Sequence, residues 1–118
     1  MISLSIFVEC QNKDEAIVIS TELKKKIEPF IINYELQEII PYRKIDGWFN
    51  MGINLETSNI LEVESAERIL ETMSNKWDWT KGWSTALATE RMDGLVFFNE
   101  KVKFIDCWFE DFALNETK

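Results

Sequence analysis

Residues 2–9 alternate without a break: Ile2, Leu4, Ile6 and Val8 point one way, and Ser3, Ser5, Phe7 and Glu9 the other. A period of two places one apolar and one polar row on opposite sides of an extended chain, so this segment is a strand with one buried face. The pattern then changes period. Asn12 precedes Lys13-Asp14-Glu15, an N-cap with an acid three residues on, and Ala16, Ile19, Leu23 and Ile27 follow at helical spacing. Lys24-Lys25-Lys26 suits the negative end of the helix dipole, and Pro29 stops the helix.

The alternation returns twice more. Phe30–Ile40 places Ile32, Tyr34 and Leu36 on one face, with Asn33, Glu35 and Gln37 on the other. Trp48–Glu56 sets Phe49, Met51, Ile53 and Leu55 against Trp48, Asn50, Gly52 and Asn54. Pro41 and the Asp46-Gly47 turn signal between them predict an antiparallel hairpin. A second helix is expected over 62–75, with Ala66, Ile69, Leu70 and Met73 buried and Glu64, Glu67 and Glu71 outward. Trp83–Arg91 reads as a strand, Asp93-Gly94 as a turn, and Leu95–Phe98 with Val102–Phe109 as a closing hairpin around Asn99-Glu100-Lys101. The polar tail from Ala113 is expected to fray.

This order predicts one α+β domain spanning 1–118. The arrangement expected is a ferredoxin-like βαββαβ antiparallel sheet, with two helices on one face and an additional C-terminal β-hairpin. An open meander with another strand order uses the same elements. The chain is 46% hydrophobic, which is enough for a real core without disulfides or metal, and only four glycines and two prolines leave little room for linkers.

Two cysteines far apart in sequence, Cys10 and Cys107, read as reduced thiols rather than a bridge. The N-terminus lacks the basic region of a signal peptide, and no apolar run approaches the roughly 18 residues of a membrane span, so a cytoplasmic protein without membrane contact is expected.

Composition also narrows function. There is no histidine, the commonest general base and metal ligand, so Ser-His-Asp and Cys-His pairs are excluded. No GxGxxG or Walker loop is present, since Gly47, Gly52, Gly82 and Gly94 are isolated. Two cysteines without histidine make a poor zinc site. No cofactor, no metal and no catalytic residue are expected. The net charge of −8 repels nucleic acid and favours a basic partner. Residues 60–118 hold most of the excess, with 12 acidic and 7 basic side chains.

Two segments stand out as candidate partner-binding sites. Trp77-Asp78-Trp79-Thr80-Lys81-Gly82-Trp83 gathers three of the five tryptophans, a residue type rich in binding hot spots. One or two of its rings also serve to close the core over the end of the second helix. Asp106, Glu110 and Asp111 flank Trp108 and Phe109 at the end of the last strand, as an acidic-aromatic patch for Lys or Arg or as a solvated strand end. The candidate residues are therefore Trp77, Asp78, Trp79, Asp106, Glu110 and Asp111.

In size, acid excess, α+β order and the Trp-Asp-Trp and Asp-Cys-Trp-Phe-Glu-Asp segments, the chain resembles the small acidic immunity proteins of bacterial contact-dependent growth inhibition and related toxin systems. The resemblance spans the chain loosely and has no diagnostic motif, so it transfers no binding residues. It implies an inhibitor that neutralises a basic toxin, a nuclease in particular, by filling its active-site groove. Two other classes stay open: a small-molecule-binding domain with Tyr34, Trp48, Trp83 and Trp108 lining a pocket, and a plain structural or oligomerisation subunit. The oligomeric state is not legible.

Overall fold

A computed structural model describes residues 1–57, 63–80 and 85–110. In chain order the elements are β1 (Ile2–Glu9), α1 (Lys13–Ile27), a 3-10 turn (Glu28–Phe30), β2 (Asn33–Pro41), β3 (Trp48–Glu56), α2 (Val63–Glu71), β4 (Asp78–Thr80), β5 (Thr85–Thr89) and β6 (Val102–Phe109). The strands form one sheet in the order β2-β3-β1-β6-β5-β4, every neighbouring pair antiparallel.

Local chemistry builds β1, α1 and β3 as the periodicity predicts, whereas β2 starts later than the expected Phe30–Ile40, with Phe30 in the 3-10 turn and a register shift between Leu36 and Glu38 breaking its alternation. The Asn12 side chain accepts the Glu15 N–H at 3.0 Å, and the Glu15 carboxylate accepts the Gln11 N–H at 3.2 Å, so free donors at the start of α1 are satisfied from both sides. Asp46-Gly47 turns the chain between β2 and β3 with Gly47 at φ 87°, a left-handed conformation that a Cβ would strain. Ile2, Leu4, Ile6 and Val8 of β1 and Met51, Ile53 and Leu55 of β3 are buried in one cluster with Ala16, Ile19, Leu23 and Ile27 of α1. Ala66, Ile69 and Leu70 of α2, and Met73 just beyond it, belong to the same cluster. Both helices therefore cover the same face of the sheet.

The ferredoxin-like expectation is overturned by strand order and count. In a βαββαβ unit the strand after the second helix pairs with the first strand. Here that place belongs to β6, and β5 and β4 continue outward from it. The physical reason lies in length and bulk. β6 has eight residues, runs alongside β1 from Ile2↔Phe109 to Val8↔Val102, and contributes Val102, Ile105, Cys107 and Phe109 to the core. β5 has five residues and buries only Ala86 and Ala88. The longer, bulkier strand occupies the centre, paired with β1 from Val102 to Phe109.

The predicted C-terminal hairpin is also absent. Leu95–Phe98 forms no strand, and its pairing is the single bridge Ser74↔Phe97. The hairpin partner of β6 is β5. Phe97 and Phe98 still pack against the core, held by Asn75 N–H to Val96 O and Phe98 N–H to Met73 O at 3.3 and 2.9 Å. Cys10 and Cys107 are free, buried thiols. Among the described residues no helix is long and apolar enough to cross a membrane.

Candidate functional site: the helix-free face of the sheet

Since the even residues of β1 face the helices, the odd residues must face away, and the strand register carries this outward set across the sheet. Three rows result. Thr85, Trp108, Ser3, Asn54 and Glu35 form the first, and Asp78, Leu87, Asp106, Ser5, Gly52 and Glu38 the second. Thr89, Phe104, Phe7, Asn50 and Ile40 form the third. No helix among the described residues covers these rows.

The face is acidic at its centre and aromatic at one end. Asp78, Asp106 and Glu38 lie in one row, with Glu35 in the next. Trp108, beside Asp106 in β6, leaves 53% of its surface in water, an exposure unusual for so large an apolar ring. Ser3 Oγ donates to Glu110 Oε2 at 3.3 Å, which draws Glu110 to the Trp108 edge. At the other end, Phe7 meets Tyr42 and Phe104 edge-on at 4.8 and 5.7 Å, and Tyr42 stacks on Trp48 at 6.3 Å. A shallow groove of about 490 Å³ opens over these rings, with Ile45, Arg91 and Lys103 in its wall. Lys103 sits between Glu9 and Glu90, at 3.6 and 3.9 Å.

Asp106 is the anomaly of the face. One of its carboxylate oxygens, Oδ1, is buried and has no hydrogen-bond partner. The hydroxyl of Ser5, the register partner of Asp106 on β1, donates to Asn50 Oδ1 at 2.9 Å. Burial without compensation disfavours the charged form, so the Asp106 carboxyl titrates above its ordinary value. The folded chain therefore holds this proton more tightly than the unfolded chain does. Stability from this group is present at low pH and is lost as pH rises through the raised pKa. Asp106→Asn is accordingly expected to melt above the parent at neutral pH, with the gap closing as pH falls below the carboxylate range. Melting temperatures of both proteins across that range are the check, and a gap independent of pH would contradict it. Partial exposure of the group keeps the effect modest.

The structure separates the six sequence-predicted residues. Asp78, Asp106 and Glu110 come together on or beside the helix-free face. Trp77 does not join them: its indole N–H donates to the carbonyls of Leu70 and Ser74, both at 3.1 Å, and so closes the end of α2, where backbone acceptors lack helical partners. Trp79 pairs with Ala86 on the helix side of the sheet and stacks on Phe109 at 5.5 Å. Asp111 lies outside the described residues, as does Trp83.

The predicted aromatic pocket does not assemble as a unit. Tyr34 is on the helix side, its hydroxyl 2.8 Å from Ser20 Oγ, whereas Trp48 and Trp108 occupy different ends of the opposite face. Phe7, Tyr42, Ser5 and Gly52 were not singled out in the sequence, although the off-core positions of β1 and β3 already signalled three of them. Among the described residues no three His, Cys, Asp or Glu side chains are placed to hold a metal ion. Comparison with protein-family models, curated proteins and solved structures finds no match.

Proposed function

We propose that this chain is an acidic inhibitor of the immunity-protein kind, which acts in the cytoplasm by binding and neutralising a basic toxin. The single observation that supports this reading best is the helix-free sheet face, where Asp78, Asp106 and Glu38 share one cross-strand row beside the half-exposed ring of Trp108. A nuclease fits as the target class. Its substrate groove is built to receive phosphates and flat bases, and a row of carboxylates with an exposed indole presents similar charge and shape. Charge would speed the encounter, and the ring, once buried in the complex, would slow release.

Copurification from the native host, followed by titration of the partner's nuclease activity, tests the reading. A basic partner whose activity reaches zero at one equivalent supports it, and a partner still fully active when saturated overturns it. A second reading, a small-molecule site, is favoured by the groove over Phe7, Tyr42, Trp48 and Phe104. Mass spectrometry of the native protein separates the two, since a bound planar ligand in place of a protein partner selects the second.

A further inference from the structure

Four aromatic rings meet at one end of the helix-free face without joining the hydrophobic core or packing against it. Phe104 of β6, Phe7 of β1, Tyr42 just after β2 and Trp48 of β3 form a single run, with successive centroids 5.7, 4.8 and 6.3 Å apart. Each ring is half-buried, so each keeps part of its surface open. The backbone fixes the run in place. Tyr42 N–H donates to Trp48 O at 2.9 Å and Trp48 N–H to Ile45 O at 3.3 Å, so the turn between β2 and β3 holds Tyr42 and Ile45 beside Trp48. The groove over these rings, about 490 Å³, lies within the ordinary range of small-ligand sites.

Charge in this groove runs against that of the chain. Its wall holds Arg91 and Lys103 against one carboxylate, Glu90, and stays neutral even with Glu9 counted, in a chain of net charge −8. The two cations differ in availability. Lys103 lies between Glu9 and Glu90 at 3.6 and 3.9 Å and is already occupied by them. Arg91 is exposed, and its guanidinium forms no ion pair among the described residues. Its backbone N–H donates to Thr89 Oγ1 at 3.4 Å, which holds the turn after β5 at the groove.

We propose that the groove binds a planar aromatic molecule bearing one carboxylate, its ring against Phe7, Tyr42 and Trp48 and its carboxylate paired with Arg91. The inference rests on the small-molecule reading of this groove and names the class of ligand; the acidic rows beyond it take no part. Flat rings bury area on aromatic side chains in offset and edge-on geometries that a saturated ring of equal size lacks. A guanidinium engages a carboxylate through two parallel hydrogen bonds, so ring and acid together fix one orientation.

Naphthoate, its uncharged counterpart naphthylmethanol and the saturated acid cyclohexanecarboxylate are titrated separately into the whole isotope-labelled protein and followed by NMR. Naphthoate is expected to shift the Phe7, Trp48 and Arg91 amides saturably and to bind about tenfold more tightly than either of the others. Arg91→Gln, at an exposed position, should bring naphthoate down about tenfold to the level of naphthylmethanol and leave naphthylmethanol unaltered. Tyr42→Leu should weaken both aromatic probes about tenfold, and Arg91→Gln carries the test if Tyr42→Leu folds poorly. Equal binding of naphthoate and naphthylmethanol by the parent, or naphthoate binding indifferent to Arg91→Gln, overturns the proposal and leaves the small-molecule reading in place. Cyclohexanecarboxylate binding as tightly as naphthoate overturns it too, since the rings then contribute nothing. If none of the three moves the groove signals, or the shifts gather at Trp108 instead, the small-molecule reading of the groove fails with it.

Discussion

Phe109→Ala is expected to destabilise the fold by about 3–5 kcal/mol, the range for deleting a buried aromatic ring. Phe109 is 1% exposed, ends β6 opposite Ile2 of the central strand, and is covered by the Trp79 ring stacked at 5.5 Å. Three elements meet at this one side chain. Its loss leaves a cavity that β4, with three residues, has little structure of its own to close. A domain of this size commonly has about 5–15 kcal/mol in total, so the effect is a large part of the whole. Urea unfolding checks it: the midpoint should fall with the slope unchanged. A double-mutant cycle with Trp79→Ala should return a coupling near 1 kcal/mol for the stacked pair. A loss below about 1 kcal/mol for Phe109→Ala alone would show that Trp79 does not close the core there.

The same corner shows why part of the fold was legible and part was not. β1, β3 and α1 announce themselves because their signals are local: an unbroken alternation, an Asn12 cap answered by Glu15, and a stripe at helical spacing. β3 occupies the predicted Trp48–Glu56 span, and α1 the predicted 13–27. Strand order depends on which strand best covers β1, a contest between β5 and β6 decided by length and side-chain bulk between segments far apart in the chain. Nothing in the period of either strand contains that information. β4 is too short to show a period, and the apolar run Leu95–Phe98 has strand-like composition while serving as a packed loop.

The site was half legible for a related reason. Alternation had already separated Ser3, Ser5 and Phe7, with Trp48, Asn50, Gly52 and Asn54, from the core, but only the register joins them into one surface with Asp78 and Asp106. In the Trp-rich segment neighbouring residues part company across the plane of the sheet. Asp78 turns to the open face and Trp79 to the helices, as adjacent strand residues must. An acidic-aromatic cluster in sequence thus resolves into an acid on the surface and a ring packed against the core.

Reversing charge on that face, with Asp78→Lys, Asp106→Lys and Glu110→Lys combined, is expected to slow association with the basic partner about a hundredfold at low salt. The reasoning follows from range. In the parent the three carboxylates attract a cationic surface over about 10 Å at 0.1 M salt, so added salt should slow association; in the variant the sign is reversed and added salt should speed it. Folding stability should change little from Asp78→Lys and Glu110→Lys, and the loss should come from Asp106→Lys, since partial burial disfavours an ammonium there as it does the carboxylate. Asp78 and Glu110 are exposed, and Glu110 gives up one long contact with Ser3. Trp108→Ala should do the opposite kinetically: association stays near the parent rate, and dissociation quickens by an amount equivalent to about 2 kcal/mol if the ring is buried in the complex. Stopped-flow association and dissociation rates at two ionic strengths measure both. Association that ignores salt in parent and variant alike would remove long-range charge as the source of recognition. Binding would then have to come from the aromatic end of the sheet, where Lys103 and Arg91 offset Glu9 and Glu90 and the local charge is close to neutral.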